Sequence, residues 1–242
     1  MKANFVEVSN VSRFLAGRDR VDRRGAPEAS WHLVMGEPGY GKTRTLAWHS
    51  LQSNTILLRA KAGWTLNWAL RDLVTELGLM PERSKEKLYD QAITACAIQQ
   101  RHIIIDEIEH ALYDRKIVEA FRDISDEVLV PIIIGGMQEV DKRLKRYPQI
   151  YSRIASVTEF KACSVQDILK CCDDLLEIDV ADDIAPLIFQ HTGGRLREVI
   201  NYLAELERLG KKAGGSICAA DLGGKVLTND GKSRSTSNAK AA

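Results

Sequence analysis

The stretch that decides the fold is Gly36-Glu37-Pro38-Gly39-Tyr40-Gly41-Lys42-Thr43, which fits the pattern G-x-x-x-x-G-K-[S/T] at every fixed position. It follows the apolar run His32-Leu33-Val34-Met35 and opens a segment of helical period. Glycines let the backbone curl until successive N–H groups point inward, and a helix N-terminus adds a favourable dipole. A glycine-rich turn that matches by accident is the alternative, and the flanking strand and helix argue against it. The stretch predicts a loop that binds nucleotide phosphates.

The residue types within this loop predict separate tasks. Lys42 is expected to reach the β and γ phosphates, and the Thr43 hydroxyl to bind Mg²⁺. The other nucleotide-binding positions are expected to be Gly36, Glu37, Pro38, Gly39, Tyr40, Gly41 and Arg44. The predicted cofactors are therefore ATP and Mg²⁺.

A second apolar run, His102-Ile103-Ile104-Ile105, ends in two carboxylates, Asp106 and Glu107. Neighbouring side chains on a strand point in different directions, so one carboxylate can face a metal ion while the other faces a water molecule. Asp106 is predicted as the magnesium ligand and Glu107 as the general base. An acidic first turn of a helix is the structural alternative. The phosphate loop upstream favours the catalytic interpretation.

Short runs rich in Ile and Val alternate with longer stretches of helical period. Such near-continuous apolar runs are expected for strands that are covered on both faces. The predicted strands are Trp31–Met35, Thr55–Arg59, Arg101–Asp106, Val130–Gly135 and Ser156–Phe160. The predicted helices between them are Thr43–Leu51, Thr65–Leu79, Ser84–Gln99 and Lys116–Asp126. The alternation predicts an α/β fold, a three-layer sandwich around a parallel five-stranded sheet.

After Phe160 the pattern is helical, and no further strand is predicted. The segments Val165–Leu176, Ile184–His191 and Leu196–Leu209 have helical period. Four regions are therefore expected: an N-terminal helical segment at 1–30, the α/β core at 31–162, a small helical lid at 163–222, and a tail at 223–242. The tail is rich in Gly, Ser, Asn and Lys, and is predicted to be disordered.

Composition excludes several classes of function. Lys plus Arg is 34 against 33 for Asp plus Glu, so overall charge does not indicate nucleic-acid binding, and any DNA contact needs a local patch. The five cysteines form no C-x-x-C pair, which argues against a zinc site or a disulfide framework. No apolar run reaches about 18 residues, and the first residues lack a signal peptide. The expected location is the cytoplasm, of a bacterium or of a phage's host.

The two motifs, followed by another strand and a helical lid, resemble the AAA+ branch of the P-loop ATPases. More closely, the chain resembles the target-selecting ATPases of DNA transposition, the family of the phage Mu B protein, TniB and TnsC. The resemblance to the transposition ATPases covers roughly residues 5 to 222. It rests on Asn10-Val11-Ser12-Arg13-Phe14, Ile132-Ile133-Ile134-Gly135-Gly136, Arg153 and Thr192-Gly193-Gly194-Arg195-Leu196-Arg197.

The resemblance implies two arginine roles. Arg197 matches the second-sensor arginine of the lid, with Arg195 as the alternative. Arg153 matches the finger that reaches a neighbour's site, with Arg143 and Arg146 as competitors. A plain turn and solvated arginines are the structural alternatives.

The chain departs from the family in two respects. The phosphate loop begins at Gly36, so no counterpart of the helix-turn-helix domain of the Mu protein is expected ahead of it, and the DNA contacts of that domain cannot be carried over. No Asn or Thr follows Ile134 as a first sensor, and Gln138 is the nearest amide.

The resemblance also implies that ATP assembles protomers into a ring or helical filament on duplex DNA, which then regulates a transposase. DNA contacts would go to phosphates without base specificity. The candidate residues are Arg59, Lys61, Arg115 and Lys116; ordinary solvated charges are the alternative.

Three other functions remain open from the sequence. One is an AAA+ helicase loader or replication initiator, and another is a P-loop small-molecule kinase. A third is a nucleotide-gated scaffold with negligible turnover, against which the intact Glu107 argues.

Overall fold

A computed structural model of the chain describes residues 1–222 and Leu227. The chain forms two compact units. One is the α/β unit, Ser9–Lys161; the other, the helical unit, combines Met1–Val8 with the chain from Ala162 onward. The predicted disordered tail at 223–242 lies, apart from Leu227, outside the described residues. Among the described residues, no helix is both long and apolar enough to span a bilayer.

The α/β unit is built on a five-stranded parallel sheet. Its strands are β1 (Trp31–Gly36), β2 (Ile56–Arg59), β3 (Ile103–Asp106), β4 (Ile132–Gly136) and β5 (Ile154–Phe160), in the order β2-β3-β4-β1-β5. All neighbouring pairs are parallel, so the carboxyl ends of β3, β4 and β1 lie side by side at one edge. The predicted fold class is confirmed.

Helices cover both faces of this sheet. They are α1 (Ser9–Asp22), α2 (Lys42–Gln52), α3 (Leu66–Glu76), α4 (Lys85–Gln99), α5 (Arg115–Val128), α6 (Val140–Leu144) and α7 (Pro148–Tyr151). One face packs against α3, α4 and α5 in the large core, and the other packs against α1 and α2 around Phe14 and Leu46. Thr65, Ser84 and Asp114 begin α3, α4 and α5 by accepting a backbone N–H hydrogen bond.

The helical unit contains α8 (Val165–Leu175), α9 (Ile184–Thr192) and α10 (Leu196–Ala213). It also contains two strands that sequence analysis missed, β6 (Asp179–Val180) and β7 (Ser216–Ile217), which pair in parallel. Two-residue strands are too short to show a periodic pattern.

The structure divides the chain at other places than 1–30, 31–162 and 163–222. Lys2 donates its backbone N–H to the Leu175 carbonyl at 2.8 Å, and Lys170 Nζ donates to the Glu7 carbonyl at 2.9 Å. Met1–Val8 therefore belongs with the helical unit, whereas α1 belongs with the α/β unit.

Helix α1 packs on the sheet through a cluster of aromatic rings. The Phe14 ring stacks on His32 at 5.5 Å and meets His49 edge-on at 5.0 Å between centroids. His32 Nε2 lies 2.8 Å from Thr158 Oγ1, while His32 Nδ1 and His49 Nε2 have no hydrogen-bond partner among the residues that the structure describes. Burial lowers the pKa of His32 to about 3 and that of His49 to about 4. Both rings are therefore neutral in the folded state at neutral pH.

These histidines predict that the free energy of unfolding falls in acid. Their folded pKa values lie below the unfolded value of 6.5, so the stabilisation is complete above pH 6.5. It decreases as pH falls toward 4, by about 1.4 kcal/mol per pH unit for each histidine. Denaturant unfolding between pH 7 and pH 4.5 measures this dependence. The free energy of unfolding should depend less steeply on pH in His32→Gln than in the wild type, because unfolding of the variant takes up about one proton fewer. Equal slopes would contradict the assignment.

Candidate nucleotide-binding site

The glycine loop connects β1 to α2 in a conformation that depends on its glycines. Gly39 and Gly41 have φ angles of 89° and 92°, in the left-handed region that side chains disfavour. Lys42 Nζ donates to the Gly36 carbonyl at 2.6 Å and to the Glu37 carbonyl at 3.0 Å. The lysine ammonium is thereby held over the loop.

The two carboxylates at the end of β3 differ in exposure. Asp106 is buried, and its Oδ1 accepts the backbone N–H of Glu107 at 3.0 Å. The Glu107 side chain is 41% exposed, on a backbone with a left-handed φ of 56°. The left-handed backbone at Glu107 therefore turns its side chain toward solvent, whereas the Asp106 side chain lies inside the protein.

Strand β4 lies between β1 and β3, and Gly135 leaves space where they end. A Cβ at Gly135 would lie 2.6 Å from Leu46 Cδ1 on α2 and 3.0 Å from Asp106 Oδ1. The helix that follows the loop and the acidic strand therefore meet over this glycine. A side chain of the first-sensor type has no room at Gly135. Gln138, the first-sensor candidate, donates instead to Glu159 Oε1 at 2.9 Å.

Arg59 lies beside the acidic pair, a position that sequence analysis did not identify. The β2–β3 register pairs Arg59 with Asp106. Arg59 Nη2 is 3.7 Å from Asp106 Oδ2, and its Nε is 3.6 Å from Glu107 Oε1. Sequence analysis predicted only a DNA-contact role for Arg59, because the spatial neighbour of β2 is not visible in the chain order. In the structure this guanidinium faces the predicted metal ligand and base.

Replacing Arg59 with alanine is expected to raise DNA-independent ATP hydrolysis. Arg59 Nε lies 3.6 Å from Glu107 Oε1 and competes with the attacking water for that carboxylate oxygen, so its removal should increase turnover by about 3- to 10-fold. Phosphate release measures turnover, and DNA affinity should stay within about twofold of wild type. Arg83→Ala, at an exposed arginine between α3 and α4, is the matched control. If Arg59→Ala hydrolyses ATP at the wild-type rate but binds DNA more weakly, Arg59 is a DNA contact, as the sequence analysis expects.

Asn10 is a second residue whose role the sequence left unassigned. Its buried side-chain amide donates to the Tyr40 carbonyl at 3.3 Å and to the Lys161 carbonyl at 2.7 Å. Its Oδ1 accepts from the Lys161 N–H at 3.0 Å and from Arg13 Nη1 at 2.6 Å. One side chain therefore fixes the glycine loop to the end of β5. The only sequence signal was the resemblance of the stretch Asn10–Phe14.

The predicted finger and sensor arginines lie in different units. Arg153, just before β5, binds Asp126 through Nε and Nη2, each at 2.9 Å. The hydrogen bonds to Asp126 raise the pKa of the Arg153 guanidinium above its ordinary value, and burial lowers it by less. Arg195 and Arg197 lie in the helical unit, at the start of α10, where Arg197 is exposed.

Most of the other predicted DNA contacts already have partners within the chain. Lys61 Nζ lies 3.0 Å from Asp72 Oδ2 and 4.7 Å from the centroid of the Trp68 ring. Arg115 Nε lies 2.6 Å from Glu119 Oε1. Lys116 is exposed on the first turn of α5.

The residues at this edge of the sheet fit a magnesium–nucleotide complex. The curled loop presents backbone N–H groups and an ammonium, which are donors suited to phosphate oxygens. Thr43 on the first turn of α2 offers a hydroxyl, and Asp106 a carboxylate, both hard oxygen ligands of the kind Mg²⁺ prefers.

Comparison with known proteins agrees with this architecture. Residues 28–144 match the family described as AAA domain. A "Potential ATP-binding protein" of Staphylococcus aureus is 31% identical over 116 residues, which are 44% of this chain and 42% of that protein.

Two solved structures are similar in fold. Cdc6p from Pyrobaculum aerophilum aligns with a TM-score of 0.64 and 15% identity, over 88% of this chain and 65% of that one. The ORC1 protein of Aeropyrum pernix, solved in complex with DNA, aligns with a TM-score of 0.55 and 14% identity, over 85% and 60%. The chain thus spans less than two thirds of each of these three proteins.

Proposed function

We propose that this chain, whose residues 28–144 match the family described as AAA domain, binds ATP with Mg²⁺ and hydrolyses it. The observation that supports this most is the meeting of α2 and Asp106 over Gly135. It brings the end of the glycine loop and the acidic pair to one edge of the sheet. Lys42, Thr43 and Asp106 then lie on the elements where phosphate and metal binding need them.

Hydrolysis requires a water oxygen to attack the γ-phosphorus while the bond to the β–γ bridging oxygen breaks. Glu107, the exposed member of the pair, accepts the proton of that water. Lys42 moves from the loop carbonyls to the phosphate oxygens, where its charge is better compensated. Thr43 and Asp106 would hold Mg²⁺, which would supply positive charge to stabilise the transferred phosphoryl group.

Assembly of several copies is the next part of the proposal. Arg153 acts on the ATP of a neighbouring protomer, exchanging Asp126 for phosphate oxygens, and Arg197 of the helical unit acts as the second sensor. A finger that works in trans makes the interface head-to-tail, which yields rings or open helices. ATP at such an interface favours association, because its γ-phosphate pairs with an arginine.

The assembled form binds duplex DNA and regulates a transposase. The resemblance to the transposition ATPases supports this role. The alternative is a helicase loader or replication initiator, which the fold similarity to Cdc6p and to the DNA-bound ORC1 protein favours.

Co-sedimentation with duplex DNA tests the DNA and nucleotide parts together. Protein should sediment with DNA in the presence of ATP or a slowly hydrolysed analogue, and remain in the supernatant with ADP. Stimulation of a transposase by the sedimenting form supports the first role, and delivery of a replicative helicase supports the alternative. Equal sedimentation with ATP and ADP would contradict a nucleotide-controlled assembly.

A further inference from the structure

We propose that a basic–aromatic surface on the α/β unit binds the phosphates of duplex DNA. The surface comprises six residues from two chain segments: Tyr113, Arg115, Lys116, Lys142, Arg143 and Arg146. The first three follow β3, and the last three follow β4, so both segments leave the same edge of the sheet. The inference rests on the proposed function, in that it locates the DNA contact.

Two cation–aromatic contacts bring the segments together. The Arg143 guanidinium lies 4.9 Å from the centroid of the Tyr113 ring. In the opposite direction, the Arg115 guanidinium lies 5.7 Å from the centroid of the Tyr147 ring. Residues about thirty positions apart in the sequence therefore share one surface, and the 78% exposure of Tyr113 places it in solvent.

Charge on this surface is mostly uncompensated. Within the part of the chain that the structure describes, no carboxylate lies within 4 Å of the side-chain nitrogens of Lys116, Lys142, Arg143 or Arg146. Arg115 is paired with Glu119, and Lys145, which follows α6, is paired with Asp141. On a chain of net charge +1, four cations without a carboxylate partner, on two segments that contact each other, are a marked local excess. Such an excess attracts polyanions.

The contrast with the other basic candidates favours this surface. Arg59 faces the acidic pair and Lys61 is bound to Asp72, so a DNA phosphate would have to displace a carboxylate at either residue. Lys116 and the three cations around α6 face no such competition.

The exposed side of α6 carries charged rather than apolar side chains. Val140 and Leu144, the apolar residues of α6, are fully buried in the core, so α6 directs its basic side chains outward without an aliphatic anchor. A polyanion is therefore the occupant that this charged face fits. Phosphate contacts need only accessible cations, because their free energy comes largely from counterion release.

The test removes one lysine from each segment. Each phosphate contact contributes about eightfold to affinity at 0.1 M salt, and about 0.9 to the slope of log K against log salt. Lys116→Ala/Lys142→Ala should therefore bind duplex DNA about 60-fold more weakly at 0.1 M salt, with a slope shallower by about 1.8. Fluorescence anisotropy of a labelled duplex, with a slowly hydrolysed ATP analogue and varied salt, measures both. Neither lysine belongs to the proposed nucleotide site.

The control is Lys85→Ala/Lys87→Ala, which removes two exposed lysines from α4 and should match wild type within about twofold. If the wild type binds duplex DNA and Lys116→Ala/Lys142→Ala binds it with the same affinity, the inference is wrong and the proposed function stands. If that variant still binds DNA normally but no longer stimulates a transposase, the surface serves a protein and the inference is also wrong. A parallel loss of ATP affinity would likewise overturn it. No DNA binding by the wild type at any salt would refute the proposed function itself.

Discussion

Replacing Lys42 with alanine is expected to lower the affinity for ATP by about 100-fold and to abolish assembly on DNA. The ammonium is the one side-chain cation that the glycine loop itself holds, and it already lies on the carbonyls of Gly36 and Glu37. Charge-assisted hydrogen bonds to phosphate contribute about 1.5–3 kcal/mol each, and a loss of about 2.8 kcal/mol corresponds to the expected 100-fold decrease in affinity. Titration with a fluorescent ATP analogue measures the affinity.

The thermal unfolding temperature separates this effect from misfolding. Lys42 lies on the first turn of α2 and is not a core residue, so Lys42→Ala should unfold within about 2 °C of wild type. Lys85→Ala, an exposed lysine on the first turn of α4, should leave ATP affinity unchanged. Retention of full ATP affinity by Lys42→Ala would exclude the loop as the phosphate site.

Replacing Glu107 with glutamine should have the opposite effect on assembly. Glutamine keeps the size of the side chain but cannot accept the proton of the attacking water, so hydrolysis should fall by about 100- to 10,000-fold. ATP affinity should be retained, because Lys42 and Asp106 are intact. The ATP-bound form should therefore accumulate, and the complexes on DNA should persist long after wild-type complexes have dissociated.

Single-turnover hydrolysis, followed together with the lifetime of DNA complexes, measures both effects. Glu139→Gln makes the same chemical change on an exposed side chain after β4 and should hydrolyse ATP at the wild-type rate. Normal turnover in Glu107→Gln would assign the base to another residue and contradict the proposed chemistry.

The parts of the fold that depend on local pattern were predictable from the sequence. All five strands of the sheet were identified within two residues at each end, because Ile- and Val-rich runs covered on both faces are distinctive. The glycine loop has a fixed spacing and a required position between strand and helix, so its location followed directly. The family described as AAA domain matches this part of the chain.

Features that depend on which elements become neighbours were not predictable in this way. The contact of Arg59 with Asp106 and Glu107 requires β2 to pair with β3 in one register, which nothing local encodes. The pairing of Arg153 with Asp126 joins residues 27 positions apart on different elements. The two segments of the basic–aromatic surface likewise meet only because β3 and β4 end at one edge.

The domain boundaries could not be predicted from local sequence pattern either. Helix α1 was expected to form a separate N-terminal segment, but its packing depends on Gly17. A Cβ at Gly17 would lie 2.4 Å from Thr158 Oγ1 and 2.5 Å from His32 Nε2. A lone glycine in a helical pattern does not reveal which surface approaches it.

Electron microscopy of the purified protein with duplex DNA tests the central claim most directly, namely that ATP bound between the glycine loop and the acidic pair controls assembly. With a slowly hydrolysed ATP analogue, rings or filaments should form on the DNA, with density for the phosphates between Lys42 and Asp106. With ADP these assemblies should be absent. Protein that stays monomeric with the analogue and DNA together, or assemblies in which Asp106 and Glu107 point away from the phosphates, would contradict the claim.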